Sequence, residues 1–420
     1  MVTRRVSLAA GFLCKYGVAM SETYDVAILG GGPVGLEAAL RSVQDGHRTA
    51  LVERGRIADN VRDWGHVRLF SPFGMNSSER GREAIGHVPD ADALLTGRQF
   101  VQQYLAPLGE AAAAAGVEFR TATVTDVRRC EWPKGRGLGD PKRAEAPFQV
   151  RCEDDCLTAR HVLDCTGTYA SADRAGWEFC RPNEFPVVPP VSEASEVTWG
   201  PVDPASLRGL PPGTPVLVVG SGYTAATDVL TLHEAGARLT WLTRRKSDLP
   251  IAVVEDDPLP ARAELTRRAN ELASSGAIDW RSGHVVTIVE FGPPAKDPPF
   301  MRRMVVGLGD GCDVTFEGDQ SFSAVYLDTG FRPDTTLFRE LHVNLCYATE
   351  GLMRLAAKLL GETDCLKAGG SDAELLKTPE PGFFILGSKS YGRNPHFLMR
   401  AGIEQVDSVF DLLIPKPVTA

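Results

Sequence analysis

Val26-Ala27-Ile28-Leu29-Gly30-Gly31-Gly32-Pro33-Val34-Gly35 ends a hydrophobic run in glycines and opens onto Leu36, Ala38, Ala39 and Leu40. Strand, glycine turn and helix in that order begin a dinucleotide-binding βαβ unit, and Leu51-Val52-Glu53 supplies its second strand. Gly30 permits the tight bend, Gly32 lets the backbone approach a pyrophosphate, and Gly35 lets helix and strand pack closely. The helix opened by Pro33 offers unpaired N–H groups, from Val34 onward, and a positive dipole end to phosphates. Glu53, followed by Arg54, lies 23 positions after Gly30, where a carboxylate accepts hydrogen bonds from ribose hydroxyls.

A second copy of the pattern stands 190 residues further on, at Val216-Leu217-Val218-Val219-Gly220-Ser221-Gly222-Tyr223-Thr224-Ala225. Ala225 is the small third residue. The following strand, Leu239 to Thr243, ends in no acid: the position matching Glu53 is Thr243, and Arg244 and Arg245 come next. A carboxylate there would repel a ribose 2′-phosphate, whereas guanidinium groups pair with it in bidentate fashion. The first turn therefore reads as an FAD site and the second as an NADPH site. Two dinucleotides in one chain imply electron transfer between them.

Composition narrows the partners. A net charge of −9 without a basic stripe excludes a nucleic-acid surface, and no apolar run is long enough for a membrane-spanning helix. The nine cysteines are scattered and form no Cys-x-x-Cys, which fits a reducing cytoplasm. Cys152 and Cys156 straddle an expected hairpin turn as ordinary thiols. No His and Cys spacing suits a metal. Residues 1–20 are read as an N-terminal extension: Arg4-Arg5 resembles a twin-arginine signal, but the apolar stretch is short and Lys15 interrupts it, so an over-extended start before Met20 is preferred.

Along the chain, 61–80 is irregular and aromatic-rich, and Phe100, Tyr104, Leu105 and Leu108 predict a helix over 97–115. Strand-like runs cover 118–129 and 148–152, separated by an exposed loop at 133–147. His161-Val162-Leu163-Asp164-Cys165-Thr166-Gly167 is a buried strand ending in Thr-Gly, and Ala324 to Gly330 has related form. A proline-rich connector spans 181–215, a further loop 292–300, and the tail holds a strand at 383–387 and a helix at 401–413. The domains expected are 21–212 with 325–420 for FAD, and 213–324 for NADPH.

The two glycine turns, the ends Thr166-Gly167 and Thr329-Gly330, and the Gly387 strand together resemble the flavoproteins with two dinucleotide-binding domains, the pyridine nucleotide-disulfide oxidoreductase superfamily. The resemblance runs from about residue 24 and implies an α/β fold of two Rossmann-like domains, the NADPH domain inserted into the FAD domain. It implies that Val124, Thr166, Gly167, Gly387, Ser388, Ala401 and Gly402 touch FAD, and that Tyr223, Thr224 and Gly330 serve the cofactor sites. It also implies that the last helix aims N–H groups at the flavin.

Disulfide reductases of this group carry a cysteine pair beside the flavin, which this chain lacks. The Trp64-Gly65 segment resembles the flavin-containing and N-hydroxylating monooxygenases instead. Their Phe-x-Gly-x-x-x-His signature is missing, and Gly387-Ser388 stands where reductases have Gly-Asp. The chemistry implied is hydride transfer from NADPH to flavin, then oxygen transfer from a C4a-(hydro)peroxyflavin to a small nitrogen, sulfur or carbonyl compound. Candidate pocket residues are Trp64, His66, Arg68 and Asn76, with Tyr391, Arg393, Asn394 and His396 from the tail. The expected partners are a small substrate and O2; a homodimer is compatible with the fold. The alternatives are a reductase or dehydrogenase that never activates oxygen, and a non-catalytic redox sensor.

Overall fold

The computed structural model describes residues 23–169, 197–294, 302–309, 320–360 and 372–413. The N-terminal extension and the 181–196 part of the proline-rich connector lie outside these residues, as does the 295–300 part of the expected loop. The chain divides into two compact units, one built from the segments up to Asp63, Pro72–Ala170 and from Arg332 onward, the other from Trp64–Ser71 and Ser171–Phe331. The second unit thus takes in residues before 213 and a short strap from the 61–80 region.

The first unit is organised by strand β1 (Tyr24–Leu29), whose residues 26–29 are all fully buried. A continuous apolar run of this kind suits a central parallel strand covered on both faces. It pairs in parallel with β2 (Thr49–Glu53) on one side and β6 (Cys156–Asp164) on the other. Strand β3 (Glu118–Thr121) extends the parallel edge beside β2. Strands β4 (Val124–Arg129) and β5 (Phe148–Cys152) form an antiparallel meander with β6, and β15 (Phe383–Ile385) joins β6 in parallel near its C-terminal end.

The expected run at 118–129 is therefore two strands, broken where Ala122 N–H donates to the Glu53 carbonyl at 2.9 Å. The 97–115 helix is observed as Gly97–Phe100, a wider π turn at Val101–Leu105 and Ala106–Ala114, opened by a reciprocal Thr96–Gln99 capping box. The 133–147 loop contains a short helix, Pro141–Glu145, and is not wholly exposed. Arg143 turns inward from it to Glu380, which also holds Arg129, and this triad is buried. Arg143 further donates to the carbonyls of Trp132, Pro133 and Glu340, so its fork is satisfied on every side.

The second unit repeats the architecture. Strand β8 (Pro215–Val219) lies between β9 (Arg238–Thr243) and β14 (Ala324–Leu327), all parallel. The sheet is completed by β10 (Asp279–Ser282) beyond β9 and β7 (Val197–Trp199) beyond β14. Fully buried Trp241 sits in a core with Val216, Val218, Ala225, Val229 and Leu239. A separate antiparallel sheet contains β11 (Val285–Pro294), β12 (Arg302–Gly309) and β13 (Gln320–Phe322). Two sheets of the expected α/β class thus carry one glycine turn each. Among the described residues no helix is long and apolar enough to cross a membrane.

Candidate functional site

The first turn is closed by contacts that leave no space for side chains. Gly30 has φ +100°, and a β-carbon on it would lie 2.7 Å from the Cys165 carbonyl oxygen at the end of β6. A β-carbon on Gly35 would fall 1.9 Å from the Gly30 carbonyl oxygen. Gly32 is the opposite case, with nothing within 4 Å of the place a β-carbon would take. It is also the N-cap of helix Pro33–Gln44 and caps it with no side chain, so the first N–H groups face open space. This cradle fits a pyrophosphate. At the end of β2, Glu53 accepts from Gly31 N–H at 2.6 Å and from Gly55 N–H at 2.9 Å. Each oxygen keeps a lone pair, so a ribose can be held as well. Arg54 follows it, exposed, and Val124 opens β4 two residues after the Ala122 contact to Glu53.

The second turn is built likewise. Gly220 has φ +145°, and a β-carbon there would lie 2.3 Å from the Asp328 carbonyl oxygen. Trp241 Nε1–H donates to the Gly220 carbonyl at 2.8 Å and pins it. Gly222 is an open N-cap without a side-chain cap for helix Tyr223–Glu234, with Thr224 in the first turn and Ala225 fully buried. Thr243 is buried and its hydroxyl accepts from Trp280 Nε1–H at 3.1 Å. Arg244 and Arg245 are exposed, and no described acid pairs with either. Their guanidinium groups are available to an anion. Gly330 lies just past β14. Phe70, from the strap, meets the Tyr223 ring edge-on at 5.3 Å.

The tail turn is locked from inside. Gly387 N–H donates to Gln405 Oε1 at 2.8 Å, and Ser390 Oγ donates to the Gly387 carbonyl at 2.7 Å. Gln405 belongs to helix Met399–Leu413, which starts two residues before Ala401. Gly402 faces helix Pro33–Gln44: a β-carbon on it would lie 2.6 Å from Val34 Cγ2, and one on Gly387 would touch the same methyl at 3.3 Å. Thus Val34, Gly387 and Gly402 meet.

Beneath them, Lys389 is buried against Asp164, and its Nζ donates to Asp164 Oδ2 at 2.7 Å and Thr166 Oγ1 at 2.9 Å. Asp164 Oδ1 in turn accepts from the Thr166 backbone N–H and hydroxyl. The Thr166-Gly167 end and the Gly387-Ser388 start are therefore tied by one ion pair.

The pocket candidates separate into two groups. Asn76, Tyr391, Arg393, Asn394 and His396 belong to the first unit; Trp64, His66 and Arg68 belong to the second. Asn76 is buried just after a single helical turn, Phe73–Met75. The segment that follows is held by Glu37 of helix Pro33–Gln44, which accepts from Ser78 Oγ at 2.6 Å and from the Tyr104 hydroxyl. Burial and the adjacent Glu37 charge push the Tyr104 phenol far above its usual range, so it stays a donor. Tyr391 is buried edge-on to Phe397, with ring centroids 5.4 Å apart. Arg393 N–H donates to the Thr349 carbonyl at 2.7 Å, and Asn394 Oδ1 accepts from His396 N–H at 2.9 Å. Trp64 Nε1 and His66 Nε2 are buried atoms with no hydrogen-bond partner among the described residues.

Sequence reasoning missed Glu37, Lys389 and Gln405. Each is a polar residue whose position gives no motif; the sole signal was a lysine directly after a buried strand. It also missed Cys346, whose thiol is lowered by hydrogen bonds from the Thr349 hydroxyl and backbone.

No family model matches the chain. A dihydrolipoyl dehydrogenase of Rhizobium etli is 22% identical over 310 residues, 69% of this chain, and the chain spans about 60% of that relative's length. Among solved structures, a bacillithiol disulfide reductase from Bacillus cereus superposes with TM-score 0.64 at 18% identity, covering 93% of this chain and 99% of that one. A variant of a flavin monooxygenase from Stenotrophomonas maltophilia gives 0.56 at 19%, covering 94% and 98%. Two glycine turns on two parallel sheets and superposition along nearly the whole of such proteins agree: the chain has the fold of these reductases and of the flavin monooxygenase.

Proposed function

We propose that this chain is an FAD- and NADPH-dependent oxidoreductase that oxygenates a small nitrogen-, sulfur- or carbonyl-containing substrate with O2. The reading rests on one contrast between two otherwise equal turns. The first is followed by a carboxylate, Glu53, beside a cradle fitted to a nucleotide with free ribose hydroxyls. The second is followed by two guanidinium groups that no described acid pairs, Arg244 and Arg245, suited to a 2′-phosphate.

Bound flavin would supply the redox chemistry, accepting hydride and passing electrons to O2 or substrate. The chain's own residues bind, orient and exclude water. Backbone N–H groups of Gly32, Val34 and Gly35 hold the pyrophosphate and Glu53 the ribose, with Pro33, Arg54 and Val124 alongside. Thr166, Gly167, Gly387, Ser388, Ala401 and Gly402 border the rest of the flavin. Gly220, Gly222, Tyr223, Thr224, Ala225 and Gly330 cradle NADPH. Trp64 Nε1 and His66 Nε2 of the second unit, buried without a described partner, are suited to hydrogen-bond a ligand. Arg68 of the same unit, and separately Asn76, Tyr391, Arg393, Asn394 and His396 of the first, are the further candidates for substrate contact.

Three of the described thiols are unsuited to dithiol chemistry. Burial pushes Cys130, Cys152 and Cys165 above the ordinary thiol range, so these three stay protonated near neutrality and make poor nucleophiles. One observation favours a second reading, an NADPH-driven reductase without oxygen activation: Cys346 has the lowered thiol of a nucleophile and lies in a loop joined to Arg393 through Thr349.

Purified, flavin-loaded protein should be screened with amines, thioethers, ketones and disulfides for stimulated NADPH oxidation under isotopically labelled O2. One labelled oxygen atom in the product supports oxygenation. Turnover with a disulfide under nitrogen, with no label incorporated in air, selects the reductase. No NADPH consumption with any class rejects both.

A further inference from the structure

Two carboxyl groups within hydrogen-bonding and charge reach of one another lie behind the second glycine turn, and among the described residues neither pairs with a cation. Asp228 lies on helix Tyr223–Glu234 and is fully buried; Asp328 follows β14 and is 8% exposed. Both Asp228 oxygens accept from Val202 N–H, at 3.0 and 3.1 Å. Both Asp328 oxygens are buried and meet no other donor. As two carboxylates the pair would have only repulsion between them. With one proton it forms a hydrogen bond.

We propose that Asp228 and Asp328 share one proton beneath the second turn, and that NADPH binding at that turn takes up a proton whenever the pair has begun to lose it. The inference rests on the reading of this turn as the NADPH site.

Placement supplies the coupling. The Asp328 carbonyl is the group against which Gly220 packs, and Asp328 N–H donates to the Val219 carbonyl at 2.8 Å. Asp228 stands five residues into the helix whose open end would hold the phosphates, about 8 Å along the axis. That distance is close to one screening length at physiological salt, and the intervening medium is protein rather than water. Added negative charge there favours the protonated pair and displaces its ionisation upward by about one pH unit.

Among the described residues nothing offsets this. The one other described titratable group facing the pair is the Tyr326 phenol of β14, itself raised by burial and by Asp228. Strand β8, Pro-Val-Leu-Val-Val, brings none, and Val202, Ala225 and Val229 form an apolar wall. His233 and Glu234 are at the far end of the helix. Burial is the main cause that raises both carboxyls, with the partner's charge next for Asp328, which reaches about 9.

The test is calorimetric titration of the flavin-loaded protein with NADPH in buffers of different ionisation enthalpy, near pH 9 and again near neutrality. The expected result is uptake near pH 9 of up to about half a proton per NADPH, shrinking toward neutrality. The 2′-phosphate titrates near pH 6, outside that window. Asp328→Asn donates an amide N–H to Asp228 and should bind NADPH with no uptake; Asp228→Asn, the converse, should do the same. Binding by the native protein without uptake near pH 9, or equal uptake in a folded variant, overturns the proposal while leaving the NADPH site intact. No NADPH binding at either pH overturns the site and the proposal together.

Discussion

Lys389 Nζ lies 2.7 Å from Asp164 Oδ2, with the lysine side chain 1% and the aspartate 0% exposed. The pair joins the end of β6 to the residue after the Gly387 turn, two chain segments 225 positions apart. The lysine's remaining reach is toward Thr166 Oγ1 and the face of the Phe338 ring, 5.3 Å away.

Removing one partner strands the other's charge in the interior. Lys389→Met should lower stability to unfolding by about 3–5 kcal/mol, whereas Lys389→Met with Asp164→Asn should recover part of that loss. Urea denaturation of the two proteins gives the comparison. Equal midpoints for native protein and the single variant would show that the pair carries no such weight.

The first turn separates a steric from a binding requirement. Gly35→Ala places a methyl against the Gly30 carbonyl and should yield protein that folds poorly and holds no flavin. Gly32→Ala meets nothing in the protein and should fold normally, yet obstruct the pyrophosphate. Circular dichroism and visible absorbance after purification distinguish the two outcomes. Full flavin occupancy in Gly32→Ala would remove the cradle from that side of the turn.

The two guanidinium groups discriminate between nicotinamide cofactors. Arg244→Glu should raise KM for NADPH about 10- to 100-fold, the loss of a charged hydrogen bond plus repulsion, and leave KM for NADH nearly unchanged. Steady-state kinetics with both reductants measures the ratio. An equal rise for both would reject the 2′-phosphate assignment.

Acid acts on the buried triad. Burial pushes Glu380 up, but the His342 backbone N–H and the Arg129 and Arg143 guanidinium groups outweigh it, so its carboxyl lies below the ordinary glutamate range. A depressed folded-state value contributes stability above the unfolded glutamate's pKa, and that contribution disappears as pH falls through the folded value. Melting temperature should therefore decline below about pH 4, and Glu380→Gln should flatten that decline from a lower starting point. Parallel acid-limb slopes in both proteins would contradict it.

Patterns of fixed local period were legible from residues alone. Gly30 and Gly220 announced both turns because stereochemistry allows little else at those positions, and the apolar strands before them are continuous because both faces are covered. What remained hidden depends on partners distant in sequence. Glu37 becomes the anchor of Ser78 and Tyr104 only once the 72–81 segment folds back on its helix. Arg143 reads as a solvated charge in a polar loop until Glu380, 237 positions away, arrives beside it. The break at 122–123 was similarly invisible, since β3 and β4 have similar composition and differ only in their neighbours. Trp64, His66 and Arg68 belong to the second unit and Asn76 to the first, a division that their adjacency in sequence does not announce.

The indole that anchors the second turn is also a built-in dye. Trp241 is wholly shielded from solvent and its ring N–H is committed to Gly220, so any displacement of that glycine by an arriving phosphate alters the polarity the excited ring experiences. Occupancy of the turn is thereby written into the protein's intrinsic ultraviolet emission, with no label attached.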